Sequence, residues 1–329
     1  MITRNFDLMG PVLRVYAQEE RLADRFGSLL RGLAVETEKD PAFTLTIREG
    51  APRQVPDSAA IVYEGPVFWE GDCVYADDGG QLHLSFPGRI SLMLDPDNKA
   101  AEIVAAPDSV SRVGATAGML ALDAAVDASG QFMLHAAGLT VPDSDAQVLV
   151  FAQSGTGKTT TSLALADSGF GLCTDDSMVI RLDGTEATGW GLPRDLKVHR
   201  NTAAMMSWLT PYLTGKWNDE GEQAITRAAL SDRIRVETAA RRPIAGVFFL
   251  ERGNAERSVA APLSRTDTLV SLAADNVRTG KTGLLTSHRR RFAGLAGLAS
   301  SVPTFKMTVG SDPHSAAPAI LGALGRGPL

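Results

Sequence analysis

The chain reads as an α/β protein with a sheet-rich N-terminal part and a core built around a glycine-rich loop. Three observations carry this. Residues 152–159 read Ala-Gln-Ser-Gly-Thr-Gly-Lys-Thr, between an apolar run at 148–151 and a helical segment at 160–168. Between residues 42 and 105, short runs, several alternating apolar with polar, are separated by turn-forming residues. From residue 113 onward, helical and strand-like patterns follow one another. A period near two marks strands, and recurrence at three and four residues marks helices.

The N-terminal part begins with a helical stripe. Leu22, Phe26, Leu29, Leu30 and Leu33 recur at helical spacing in an otherwise charged segment. Strands follow at 43–47, 60–63, 73–75, 81–86, 90–94 and 101–104. Asp-Asp-Gly-Gly at 77–80, Pro87-Gly88 and Asp-Pro-Asp-Asn at 95–98 separate several of these runs, which predicts hairpins or a meander. His83 alternates with Leu82 and Leu84, which predicts a solvent-facing position. The boundary is placed at 112/113, giving an N-terminal domain over 1–112 and a second domain, which holds the glycine-rich loop, over 113–329. Substrate docking or an oligomer contact are the roles open to the first.

In the second part, residues 113–128 are Ala/Leu-rich and predict a helix. Residues 132–140 predict one strand containing His135, and 141–145 a turn. The apolar run at 148–151 predicts a buried strand, and the following helix is stopped by Gly169. Residues 171–180 read as strand, acidic turn, strand; 201–229 as helical pieces; 244–250 as a buried strand. Helices at 266–280 and 289–300, a strand at 304–309 and a helix at 314–324 close the chain.

Bulk properties narrow the partners. The 329 residues are 44% apolar and 21% charged, as in ordinary globular proteins. Net charge is −6, from 32 basic and 38 acidic residues, so no nucleic-acid footprint is evident. The clusters Arg241-Arg242 and Arg289-Arg290-Arg291 are short and read as solvated segments. Cys73 and Cys173 form no CxxC motif and read as small buried hydrophobes. No window approaches the about 18 apolar residues that span a bilayer, and the N-terminus lacks a signal-like apolar core. The expected location is the cytoplasm, with no membrane partner.

The glycine-rich loop departs by one letter from G-x-x-x-x-G-K-[S/T], with Ala152 in the first glycine position. A strand, a glycine-rich turn and a helix N-terminus point backbone N–H groups at a phosphate. Ser154, Gly155, Thr156, Gly157, Lys158, Thr159 and Thr160 would form the cradle. Lys158 would reach the β- and γ-phosphates of ATP, and the Thr159 hydroxyl would sit on Mg²⁺. Three neighbours bear on the chemistry. Asp175-Asp176 lie one helix later; one carboxylate could hold Mg²⁺ while the other acts as general base. His135 precedes the loop strand and comes near the nucleotide end of the sheet if the two strands pair. Arg194 and Lys197, in Pro-Arg-Asp-Leu-Lys, could neutralise charge on a transferring phosphoryl group.

The order LHAAG, SGTGKTT, TDDSMVI, LPRDLKV, VFFLER and VPTFKMTVG resembles the HPr serine kinase/phosphorylase family and its HPr-kinase-related members, over about residues 114 to 325. The loop string is also similar to that of ATP-dependent phosphoenolpyruvate carboxykinase. The resemblance implies a mixed sheet flanked by helices, with Mg-ATP as donor. It places His135 and Asp175 at an acceptor serine, Asp176 near the metal and Lys197 on a phosphate. It also implies a peptide or protein acceptor, as for kinases that modify lasso-peptide precursors, and allows a homo-oligomer. Two departures stand out: Ala152, and the lack of the glycine-rich signature that follows the aspartates in true HPr kinase/phosphorylases. The second argues against reverse activity and against HPr itself as substrate. Other readings are a small-molecule kinase and a non-catalytic or hydrolytic ATP-binding switch.

Overall fold

The computed structural model describes residues 1–67, 70–153, 155–276 and 286–327. It is a mixed α/β structure whose chain divides into two compact units, one built on Met1–Phe132 and the other on Met133–Val277 and Arg290–Leu329.

The first unit carries an eight-stranded sheet. Its strands are β1 (Ile2–Asp7), β2 (Val12–Ala17), β3 (Phe43–Glu49), β4 (Ala60–Val67), β5 (Gly71–Asp78), β6 (Gln81–Phe86), β7 (Ile90–Asp95) and β8 (Ala100–Ala105). Their order is β1-β2-β3-β8-β7-β6-β5-β4. The run from β4 to β8 is the predicted meander, each strand antiparallel to the next. The sequence patterns did not reveal the hairpin of β1 and β2, nor the parallel pairing of β3 with β2 and β8. Helix α1 (Glu20–Gly27) connects β2 to β3 and buries Leu22, Ala23 and Phe26, the start of the predicted stripe. Phe43, Leu45 and Ile47 alternate inward on β3; each fully buried side chain of this kind contributes about 1.5–3 kcal/mol. Helix α2 (Thr116–Ala128) also belongs to this unit, although the boundary at 112/113 had assigned it to the second. The buried Glu70 accepts a hydrogen bond from the Thr116 backbone N–H at 2.9 Å, capping α2 with negative charge at its positive end.

His83 is half-buried rather than solvent-facing. The segment around Arg53 crosses that face, where the Arg53 backbone N–H donates to Ser91 Oγ at 2.8 Å.

The second unit is organised by a nine-stranded mixed sheet. Its strands are β9 (Phe132–Leu134), β10 (Ala137–Thr140), β11 (Gln147–Ala152), β12 (Gly171–Thr174), β13 (Met178–Asp183) and β14 (Glu186–Gly191), then β17 (Arg242–Arg252), β18 (Val259–Pro262) and β19 (Thr304–Val309). Two further strands, β15 (Leu196–His199) and β16 (Glu222–Ile225), pair separately. The helices are α3 (Lys158–Asp167), α4 (Arg200–Met205), α5 (Arg265–Asn276), α6 (Thr286–Ser301) and α7 (Ala316–Ala323). β11 runs parallel to β17, and β17 parallel to β19. Stacked rings of Phe151 on Phe249 and Phe248 on Phe305 join these three strands. α3 lies on this sheet with Leu163, Ala164, Leu165 and Ala166 buried.

Three expectations need correction here. The single strand over 132–140 is broken into β9 and β10, with exposed His135 in the gap. The helical pieces over 201–229 are interrupted by β16, because Lys197 and His199 on β15 offer a ladder to Ala224 and Glu222. Arg242 is not a solvated cluster member: it begins β17 and donates to Glu237 Oε2 at 3.0 Å. Cys73 and Cys173 are both buried and free, as expected. Among the described residues, no helix is long and apolar enough to cross a membrane.

Candidate active site

Strand direction brings the predicted residues together. β10 is antiparallel to β11 on one side, with Ala137 opposite Val150, and to β12 on the other, with Gly138 opposite Thr174. β11 and β12 therefore end at the same edge of the sheet, where β10 begins. The loop leaves β11 at that edge, Asp175 follows β12 there, and His135 lies just before β10, with Ala136 between. Carboxyl ends of strands are where α/β sheets commonly place ligands. Gly138 makes this convergence tight: a Cβ there would lie 2.3 Å from Met178 Sδ.

The loop turns on two glycines. Gly155 has φ +79° and Gly157 φ +112°, a region where a side chain is strained. Gly157 ends the loop in the left-handed conformation and α3 starts at Lys158 with no acid in its first turn. The first-turn N–H groups thus have no side-chain anion of their own helix to satisfy them. Ser154 lies outside the described residues.

Asp176 is the hub of the charged groups. Lys158 Nζ donates to Asp176 Oδ1 at 2.9 Å, and His135 Nε2 lies 2.7 Å from the same oxygen. Arg194 Nη1 stands 3.7 Å from Asp176 Oδ2 and 3.5 Å from Ser177 Oγ. Burial pushes the Asp176 carboxyl up, but the hydrogen bond from His135 and the charge of Lys158 outweigh it and hold it well below the usual carboxylate range. Asp175 responds in the opposite sense. It is 5% exposed. Burial, together with the negative charge of Asp176, pushes its carboxyl up to about 6 despite Lys158. His135 thus meets Asp176 rather than Asp175. The Asn276 side-chain oxygen accepts its backbone N–H at 3.2 Å and fixes the break between β9 and β10.

A cleft of about 1050 Å³ opens over the loop, lined by its residues Gly155 to Thr161 and by His135. Lys197 reaches one wall, where its ammonium is 3.7 Å from Glu222. Thr160 and Thr202 share a hydrogen bond of 2.8 Å between the loop helix and α4. The other wall comes from the ends of β17 and β19. There Gly253 and Gly310 permit the backbone to close up: a Cβ on Gly253 would meet Thr308 Cγ2 at 2.5 Å, and one on Gly310 would meet Glu256 O at 2.3 Å. Arg252 on this wall donates to the Gly155 carbonyl. Sequence reasoning passed over Arg252, Thr202 and Glu222. The signal for Arg252 was available: a cation directly after the apolar run of a buried strand parallel to the loop strand.

Among the described residues, no three His, Cys, Asp or Glu side chains gather as a metal cluster. The Thr159 hydroxyl and the Asp176 carboxylate are oxygen donors of the kind a hard cation takes; in the structure Thr159 lines the cleft and Asp176 is engaged by Lys158 and His135.

No family model matches the chain, and no curated protein matches it. Among solved structures, the HPr(Ser) kinase/phosphatase from Coxiella burnetii is similar, with 17% identity and a TM-score of 0.31 over 58% of this chain and 94% of that one. So loose a likeness carries no argument about activity, and the geometry of the site bears the functional reading.

Proposed function

We propose that this protein is a Mg-ATP-dependent phosphotransferase that moves the γ-phosphoryl group to a serine-type hydroxyl of a peptide or protein. One observation carries the reading: Lys158 and His135 converge on one carboxylate oxygen of Asp176 beside a glycine loop, next to a buried Asp175 whose carboxyl is pushed up to about 6. A generic nucleotide-binding loop needs only the first of these; an adjacent basic carboxylate is what a transfer to a hydroxyl adds.

In this reading the N-terminal N–H groups of α3 hold the phosphate oxygens, and Lys158 neutralises charge at the β/γ junction. Thr159 and Asp176 would hold Mg²⁺, which when bound shares the charge on the β- and γ-oxygens. Asp175, ionised near neutrality yet more basic than an ordinary carboxylate, takes the acceptor hydroxyl proton as the oxygen attacks phosphorus. The bond from phosphorus to the β-phosphate oxygen breaks and ADP departs. His135 orients Asp176 through its Nε2 hydrogen bond. Lys197 on the cleft wall and Arg194 beside Asp176 would add positive charge as the phosphoryl group moves.

The deciding test is intact-mass analysis of candidate acceptor peptides after incubation with Mg-ATP. Gain of one phosphoryl group on a seryl peptide supports the reading. Transfer only to small metabolites replaces it with a small-molecule kinase, and stoichiometric ATP binding without any product replaces it with a nucleotide switch.

A further inference from the structure

The cleft holds one cation whose charge no neighbour compensates. Among the described residues that line it, Lys158 pairs with Asp176 and Lys197 with Glu222, whereas Arg252 faces no carboxylate within ion-pair distance. Arg252 is exposed and ends β17. β17 runs parallel to β11 with Leu250 opposite Ala152, so the strand carries Arg252 alongside the loop. There its Nη2 donates to the Gly155 carbonyl. A guanidinium has five N–H donors in a planar fork. One is used on the loop, and the others remain for a ligand. An exposed, uncompensated guanidinium at the edge of a row of helix N–H groups is what a polyphosphate would pair with, and Arg favours bidentate contact with phosphate.

We propose that Arg252 is a phosphate-contacting residue that makes the cleft selective for nucleoside di- and triphosphates over monophosphates. It couples the ligand to the loop because the same guanidinium holds Gly155. This rests on the nucleotide-binding reading of the loop and deepens it.

The test compares ATP, ADP and AMP binding by calorimetry for the full chain and for Arg252→Ala, Arg252→Gln and Arg252→Lys. The Gln variant keeps a donor for the Gly155 carbonyl but removes the charge; the Lys variant keeps the charge and loses the fork. The expected result is a loss of about 10- to 100-fold in ATP and ADP affinity for the Ala and Gln variants. The Lys variant should recover part of it, and AMP affinity should be unchanged throughout. Wild-type affinity in the Gln variant overturns the proposal, since Arg252 would then be a brace for the loop alone. An equal loss for AMP also overturns it. A wild-type chain that binds no nucleotide sinks the kinase reading and this inference together, whereas a wild-type chain that binds ATP with the Gln variant unaffected sinks this inference alone.

Discussion

Ionising the buried Asp175 places a second negative charge beside Asp176, and that sets the pH behaviour of the proposed reaction. Burial and the charge of Asp176 push the Asp175 carboxyl up to about 6. As general base it must be ionised, so kcat/KM should rise about tenfold per pH unit below that value and level off above it. A rate that is flat from pH 5 to 8 would remove Asp175 from the role. Asp175→Asn keeps the shape and removes the base. It should leave ATP binding near wild type while cutting transfer by about 10²- to 10⁴-fold; lost binding would instead exchange the roles of the two aspartates. Lys158→Ala should abolish nucleotide-dependent transfer, because its ammonium is the loop's own charge at the phosphates. Retained phosphorylation in that variant, read by mass, refutes the loop assignment.

Elements differ in how plainly the sequence showed them. The β11–loop–α3 unit was legible because each of its parts is local: an apolar run, two glycines at positive φ, a helix of small and apolar residues stopped by Gly169. The meander was legible for the same reason. The break at His135 was not, because it depends on Asn276, a residue remote in sequence that accepts the His135 backbone N–H. β16 was missed because its residues lack strand periodicity and are drawn into a ladder by β15. Gly138 tests how closely these elements must fit. Gly138→Ala would put a methyl group 2.3 Å from Met178 Sδ, between β10 and the start of β13. Overpacking of this kind costs about 1–3 kcal/mol. The expected outcome is a lower urea midpoint with unchanged m-value, and reduced transfer, since His135 and the aspartates are set by the same strands.

At the scale of the whole molecule, Asp175 ties stability to pH. Burial and the charge of Asp176 raise its carboxyl from the ordinary 3.8 to about 6 in the fold, so the native state holds the proton more tightly than the unfolded chain. That contribution is fully present below about pH 4 and is lost as pH rises through about 6. Asp176, held low, acts in the opposite direction: its contribution is present at neutral pH and lost as pH falls. Denaturation curves of wild type and Asp175→Asn should therefore converge at acid pH, with the variant gaining relative stability above pH 6. A difference independent of pH would mean that Asp175 is not buried as the fold has it.

The sequence by itself determined the loop, the paired carboxylates that follow it, the run of short N-terminal strands and the α/β character of the chain. Each is a pattern among residues close in sequence, where backbone freedom and burial period leave a local mark. Only the tertiary structure decided which groups meet. Antiparallel pairing of β10 with both β11 and β12 delivered His135 to Asp176, and parallel pairing of β17 with β11 delivered Arg252 to Gly155. The buried setting that raises Asp175 while His135 and Lys158 hold Asp176 low came from the same packing. Desolvation and Coulomb interaction depend on distance in space, and strand order, which local pattern does not specify, sets those distances.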